Sequence, residues 1–224
     1  MAHNLLIVGA GEFADIAYEY FTVDSPYTVV GFAVDREFLN ETQKFGLPVI
    51  ALDEATQHFD PAQTHAHVAV TSTKLNRVRS ELMEKTRAEG YHLANFVSPH
   101  AMVWRTVSLG ENIFIFEKNV VQHGVTIEDG CVLWSGNHIG HQTRIGAHCF
   151  LSSHVVISGF CTIGARSFLG VNASFADHVS IGEDCVVGMA AAVNKNFDDP
   201  GLILNGNPAQ PSRVSSYRYY RIKP

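Results

Sequence analysis

Residues 139–182 read IGHQTRIGAHCFLSSHVVISGFCTIGARSFLGVNASFADHVSIG, and this stretch decides the fold. Ile139, Ile145, Leu151, Ile157, Ile163, Leu169, Phe175 and Ile181 recur at every sixth residue without an insertion. Followed outward, the same phase runs through sixteen consecutive bulky apolar positions, from Val103 to Val193. Neither a helical period of about 3.6 nor plain strand alternation gives a strict six, so the segment is a repeat architecture. A second phase lies two residues earlier and is mostly small or β-branched, as in Val125, Cys131, Thr143, Cys149, Val155, Cys161, Ser167 and Ala173. Side chains two apart on a strand share a face. Both phases therefore point inward along a chain that turns every six residues. Three such strands close a triangular coil of eighteen residues, with coils stacked about 4.8 Å apart.

The composition bounds the function. A chain of 224 residues suits one large domain or two modest ones. Its net charge of −6 argues against nucleic acid as the main partner, because there is no basic excess to neutralise phosphates. No apolar run approaches the ~20 residues of a membrane span. The start, MAHNLLIVGAGEF, reads as a short strand without the charged region and cleavage site of a signal peptide, so a cytoplasmic home is expected. Cys131, Cys149, Cys161 and Cys185 all fall in the small inward phase and read as core filler, with no disulfide, metal or nucleophile role.

The first hundred residues follow a different pattern. Residues 4–10 (NLLIVGA) read as a buried strand. The turn Gly9-Ala10-Gly11 leads into a helix with Phe13, Ile16, Ala17, Tyr20 and Phe21 on one stripe. Residues 27–34 form a second strand ending at Asp35, Val68–Val70 a third, and Lys74 to Glu89 a helix with Leu75, Val78 and Leu82 inward. Such alternation predicts a small Rossmann-like parallel α/β domain over 1–98, followed by the β-helix over 99–224, with Pro99 at the boundary. The glycine turn opens a helix whose N–H groups could receive a diphosphate, and Asp35 could reach a ribose or base. Position 14 is Ala14, so a full GxGxxG is absent. A tight strand-to-helix turn needs glycine with or without a ligand, and both readings stand here.

The pairs Ile139-Gly140, Ile145-Gly146, Ile163-Gly164, Leu169-Gly170 and Ile181-Gly182 resemble the hexapeptide-repeat, left-handed β-helix acyltransferases. With a small α/β domain in front, the chain is similar to the bacterial nucleotide-sugar N-acetyltransferases of the PglD type and the NeuD-like sugar O-acetyltransferases. The left-handedness is implied by this resemblance alone, since parallel crossovers are otherwise nearly always right-handed. The resemblance further implies a homotrimer, with acetyl-CoA bound between neighbouring β-helices and the nucleotide sugar held by the α/β domain. On that basis Gly9, Gly11 and Asp35 match the nucleotide-sugar site, with Glu12, Phe13 and Lys74 as further candidate contacts. The family commonly has Gly-His where Glu12-Phe13 stands.

Six histidines lie in the repeat, at 123, 138, 141, 148, 154 and 178, and none is in an inward phase. The family's catalytic histidine precedes an acidic residue in His-Asp/Glu-x-x-Ile-Gly. Here the match is His141-Gln142-Thr143-Arg144-Ile145-Gly146, which assigns His141 as the base, with Gln142 replacing the acid. His138 and His154 are the alternatives. Gly159 lies one coil beyond His141, and its backbone N–H is the candidate donor to the thioester oxygen. His154 and Asn172, also one coil apart, are candidates to line the sugar or pantetheine groove, whereas Asn119 and Asn137 read as an inward asparagine ladder. Gly206-Asn207-Pro208-Ala209-Gln210 resembles the family's Gly-x-Pro-Ala-Lys/Arg stretch at the CoA site, to which Gly159 and Gly188 are added.

The expected activity is transfer of an acetyl group from acetyl-CoA to the amine of a nucleotide-linked amino sugar, for surface polysaccharide or glycan synthesis. Transfer is direct, because no cysteine sits in an outward phase to carry the acyl group. Acetylation of a sugar hydroxyl and a non-catalytic binding subunit are the competing readings. A zinc hydratase on the same coil would need paired histidines five apart, and no two β-helix histidines have that spacing, so no metal is expected. Outward aromatics (Phe114, Phe116, Trp134, Phe150 and Phe160) are expected at the subunit contact.

Overall fold

A computed structural model describes residues 3–223. The chain divides into two compact units, one formed by residues up to 71 and 78–96, the other by 72–77 and 97 onward.

The first unit is an α/β sheet. β1 (His3–Val8), β2 (Tyr27–Val34), β3 (Gln43–Lys44), β4 (Leu47–Ala51) and β5 (Thr64–Val68) lie in the order β3-β4-β2-β1-β5. All neighbours pair parallel except β3 with β4. Leu5, Leu6, Ile7 and Val8 on β1 are all fully buried, as expected of a central parallel strand covered on both faces. α1 (Glu12–Asp24) buries Phe13, Ala14, Ala17 and Phe21. A short α2 (Ala55–His58) and α3 (Arg77–Ala88) complete the unit.

Two boundaries differ from the sequence reading. The third strand is Thr64–Val68 rather than 68–70, because His65 and His67 interrupt the apolar pattern although His67 is itself buried. α3 begins at Arg77 instead of Lys74, since Lys74, Leu75 and Asn76 are all left-handed, with φ of 50°, 51° and 65°. Such a run is costly for residues other than glycine. It is held by Asn76 Nδ2, which donates to the Arg166 and Ser167 carbonyls at 3.0 and 3.4 Å, and by Arg77, which pairs with Asp184 at 2.8 Å.

The second unit is a three-faced parallel β-helix of two-residue strands. Each strand pairs with the one eighteen residues on, as in Val121↔Ile139, Ile139↔Ile157, Ile145↔Ile163 and Leu151↔Leu169. The inward phases are buried from Ile113 to Val193, and only Val103, Val107 and Leu109 at the open end are half-buried. Most corners place one residue in the left-handed region, among them Gln142, His148, His154, Phe160 and Asn172. Asn119 and Asn137 are buried, and their amides donate to backbone carbonyls at Phe116 and Trp134.

The outer aromatics require a correction. Phe114, Phe116 and Phe150 are buried, and Trp134 is half-buried. They form a ladder through Phe114, Phe116, Trp134, Phe150 and Phe168, with ring centroids 4.6–6.4 Å apart, stacked at Phe116–Trp134 and Phe150–Phe168 and tilted at the other two contacts. Of the five named aromatics only Phe160 is exposed. The sequence pattern separates inward from outward, but it does not tell an outward face that is covered from one that is open. The open apolar residues are instead Met102, Trp104, Val156, Phe160, Val171 and Met189.

Candidate active site

His141 sits at the corner between strands His138–Ile139 and Arg144–Ile145 and is exposed. Gln122 Oε1 accepts its backbone N–H at 3.0 Å, and its carbonyl accepts from Phe160 N–H at 2.9 Å. The imidazole lies over Gly159, one coil on, where a Cβ would come within 2.7 Å of Cε1 and 2.8 Å of Nε2. Glycine at 159 is therefore what lets the ring lie where it does. The edge of Phe160 meets the same ring at 5.0 Å, and Phe160 stacks on His178 at 4.8 Å. Gln142, in the position of the family's acid, folds back one coil, its amide within 2.8–3.1 Å of where a Cβ of Gly124 would be.

Gly159 departs from expectation in one respect. Its N–H, the candidate donor to a thioester oxygen, already donates to Asp177 Oδ1 at 2.7 Å, so it is not free in this conformation. Asp177 comes from the next coil along the corner, two coils from His141. The sequence reading missed it because it followed the eighteen-residue spacing one step, from 141 to 159, and not two.

The remaining β-helix candidates lie elsewhere. His154 and Asn172 do stack, the Asn172 N–H bonding to the Ser153 carbonyl, and His154 covers Gly136. They occupy a different corner from His141, thirteen residues further round an eighteen-residue coil, so one chain does not bring them to His141. Gly188 is closed by Asn205, whose Oδ1 lies 2.2 Å from a Cβ position there. Gly206, Asn207 and Pro208 are exposed. Ala209 is fully buried, its N–H bonded to the Ala192 carbonyl, which corrects its assignment as a cofactor contact. Its methyl group fills the end of the core.

In the first unit, Gly9, Ala10, Gly11 and Asp35 line one cavity of about 510 Å3, with Phe38 and Glu41. Gly9 has φ +127°, and a Cβ there would strike the Ala69 carbonyl oxygen at 2.7 Å, so only glycine fits. Its N–H is taken by the Ala33 carbonyl, so Gly9 supplies shape and no donor. Asp35 pairs with Lys85 at 2.7 Å. Phe13 is buried in the core, a correction to its assignment as a contact, whereas Glu12 is exposed at the first turn of α1, next to Gly11 of the cavity lining. The periodicity that puts Phe13 on the helix stripe also takes it away from a ligand. Lys74 is exposed at the start of the left-handed run 74–76, in the second unit.

The four cysteines are free and buried. Burial pushes the Cys161 thiol up and carries Cys185 up to about 11, and the Cys131, Cys149 and Cys161 thiols donate to backbone carbonyls at 3.1–3.2 Å. Among the described residues no group of three or more His, Cys, Asp or Glu side chains could hold a metal, and no helix is long and apolar enough to cross a membrane.

Comparison with known proteins bears on the fold. Residues 124–159 match the family model "Bacterial transferase hexapeptide (six repeats)", and residues 161–195 match "Hexapeptide repeat of succinyl-transferase". No curated protein matches the sequence significantly. Among solved structures, the acetyltransferase domain of PglB from Neisseria gonorrhoeae FA1090 in complex with acetyl coenzyme A is 26% identical, with a TM-score of 0.83 over 95% of this chain and 100% of that one. A variant of perosamine N-acetyltransferase from Caulobacter crescentus, in complex with CoA and GDP-perosamine, is 25% identical, with a TM-score of 0.82 over 94% and 97%. Residues 124–159 and 161–195 thus carry hexapeptide repeats, and the second unit has the fold of the left-handed β-helix class. Within that class the chain has the two-part fold of the sugar acetyltransferases across nearly its whole length.

Proposed function

We infer that the chain is an acetyl-CoA-dependent N-acetyltransferase acting on the amine of a nucleotide-linked amino sugar. The observation that carries this reading is the exposed His141 lying across side-chain-free Gly159, in a fold shared end to end with structures bound to acetyl-CoA and to a GDP-linked amino sugar. A protonated sugar amine is no nucleophile, and imidazole is the side chain best matched to removing that proton near neutral pH. His141 removes the ammonium proton and passes it to solvent; the neutral amine then attacks the thioester carbon, and the imidazole takes a second proton from the nitrogen. The tetrahedral intermediate then collapses, the C–S bond breaks, and the departing sulfur takes up the proton. The Gly159 N–H, on the residue that the base covers, is the donor to the developing oxyanion once Asp177 releases it.

Residues 1–98 form the acceptor domain in this reading, with the diphosphate at the Gly9–Gly11 turn and the nucleoside near Asp35. Residues 99–224 take acetyl-CoA, with the exposed Gly206–Pro208 segment closing its site. The active assembly is a homotrimer. Its support is the pair of exposed apolar residues Met102 and Val156 on one β-helix face, which share a column three coils apart through the half-buried Val120 and His138. A cytoplasmic location, where acetyl-CoA and reduced thiols are found, and a role in polysaccharide or glycan synthesis complete the proposal. The test is thiol release from acetyl-CoA with a panel of nucleotide amino sugars and their hydroxyl counterparts. Release with amino sugars only supports the reading. Release with hydroxyl sugars only, or with none, rejects it.

A further inference from the structure

The corner amides of this β-helix are capped by polar side chains from adjacent coils. Glu111 N–H donates to Asp129 Oδ1 at 3.0 Å, His141 N–H to Gln122 Oε1 at 3.0 Å, and Ala147 N–H to Glu128 Oε2 at 3.0 Å. Gly159 N–H donates to Asp177 Oδ1 in the same way, at 2.7 Å. What distinguishes the last pair is its place. Gly159 is the residue on which the His141 ring lies, so the capped amide belongs to the residue in contact with the base. Asp177 is exposed, and its neighbour His178 donates its N–H to the Gly159 carbonyl at 3.0 Å, which fixes the backbone of the two coils in register whatever the carboxylate does.

We propose that Asp177 is a gate on this amide: its carboxylate holds the Gly159 N–H in the free protein and must release it when the acetyl thioester arrives. The inference rests on the acetyltransferase reading above. A carboxylate is a stronger acceptor for an N–H than a neutral thioester carbonyl, so the two compete for one donor and the carboxylate wins in the absence of ligand. It cannot stay through the reaction. The thioester oxygen becomes an anion in the tetrahedral intermediate, and two negative oxygens on one N–H repel each other. Asp177 is thus a positioning residue whose departure is coupled to acetyl-CoA binding. Free CoA has no acetyl oxygen and makes no such demand.

That difference supplies the test. Calorimetric titration of the full chain with acetyl-CoA and with CoA, in the absence of acceptor, measures the two affinities without turnover. Asp177→Ala should bind acetyl-CoA about fivefold more tightly than the parent, the gap between a charged and a neutral hydrogen bond, and leave CoA affinity unchanged. Asp177→Asn, which keeps an uncharged acceptor, should fall between the two and serves if the alanine variant does not fold. Asp129→Ala removes the equivalent cap at another corner and should alter neither affinity. Unchanged or weakened acetyl-CoA binding in the Asp177 variants overturns the gate. So does equal tightening toward both ligands, which is only the loss of a negative charge near an anionic cofactor. A parent protein that binds acetyl-CoA, with variants that show no such tightening, defeats the gate alone; a parent that binds neither ligand defeats the acetyltransferase reading and the gate with it.

Discussion

His141 rests on Gly159 so closely that a single methyl group there would lie 2.7 Å from Cε1 and 2.8 Å from Nε2 of the imidazole. The atoms it would meet belong to a side chain at an exposed corner, so the ring can move aside at little cost to the fold. Gly159→Ala is therefore expected to displace the base and leave the β-helix intact. A misplacement of about 1 Å at a reacting group costs on the order of 10²-fold in rate. Steady-state kinetics should show kcat down by about that factor, with the thermal midpoint shifted by a few degrees at most.

A second prediction concerns the charged hub at the next corner. The Asp184 side chain is 2% exposed and accepts from Arg166 Nε at 2.8 Å, from Arg77 at 2.8 Å and from Tyr217 Oη at 3.2 Å, while Ser216 Oγ donates to its carbonyl. Burial pushes its carboxyl up, but the hydrogen bonds and charges of Arg166 and Arg77 outweigh burial and hold it below the usual 3.8. A depressed carboxyl contributes stability that is complete above its unfolded value and is lost as pH falls through the folded one. Acid unfolding below about pH 4 should therefore include this group. Asp184→Ala leaves two arginines facing each other in a partly buried site and should cost about 3 kcal/mol in denaturant melts.

His67 predicts a different pH window for the first unit. It is fully buried and donates from Nδ1 to the Ala94 carbonyl at 2.9 Å. Burial drives it down from 6.5 to about 4; the bond to Ala94 opposes that shift and the charge of Arg79 adds to it. The unfolded chain takes up the proton first, so stability is full above pH 6.5 and falls progressively toward pH 4, by on the order of 3 kcal/mol. Circular dichroism melts between pH 7 and 4 should show the loss, and His67→Asn should flatten it. A flat profile in the parent chain would contradict the assignment.

Much of this architecture is legible in the sequence, because a period of six fixes both inward phases and the eighteen-residue register that stacks His141 over Gly159. The glycine turn and Asp35 are legible for the same reason, being local. What the sequence hides depends on contacts from distant segments. Leu75 and Val78 suggest a helix from Lys74, yet the left-handed run 74–76 is held by Asn76 on Arg166 and by the adjacent Arg77 on Asp184, some ninety and more residues away. Phe114 and Phe150 occupy outward positions and are nevertheless buried. Asp177 lies on the same eighteen-residue spacing, two steps from His141, but the spacing does not show that its carboxylate accepts the Gly159 N–H.

The open face gives a prediction about assembly. Val156 is 45% exposed in the column that begins at Met102, and a carboxylate there would have to be desolvated in a subunit contact. Val156→Glu should convert a trimer to monomers in sedimentation velocity and leave the circular dichroism spectrum of each chain unchanged. A parent chain that sediments as a fully active monomer would refute the trimer.

The central claim is that His141 is the base, and the most direct measurement is kcat of His141→Ala with acetyl-CoA and the amino-sugar nucleotide identified by the thiol-release panel. Loss of a general base typically costs ~10²–10⁴. The account predicts a loss of at least ~10² in kcat, with CoA affinity and thermal midpoint unchanged, and no comparable loss when all four cysteines are replaced by serine. A His141→Ala protein that keeps most of its kcat would contradict it and leave His138 or His154 to carry the proton.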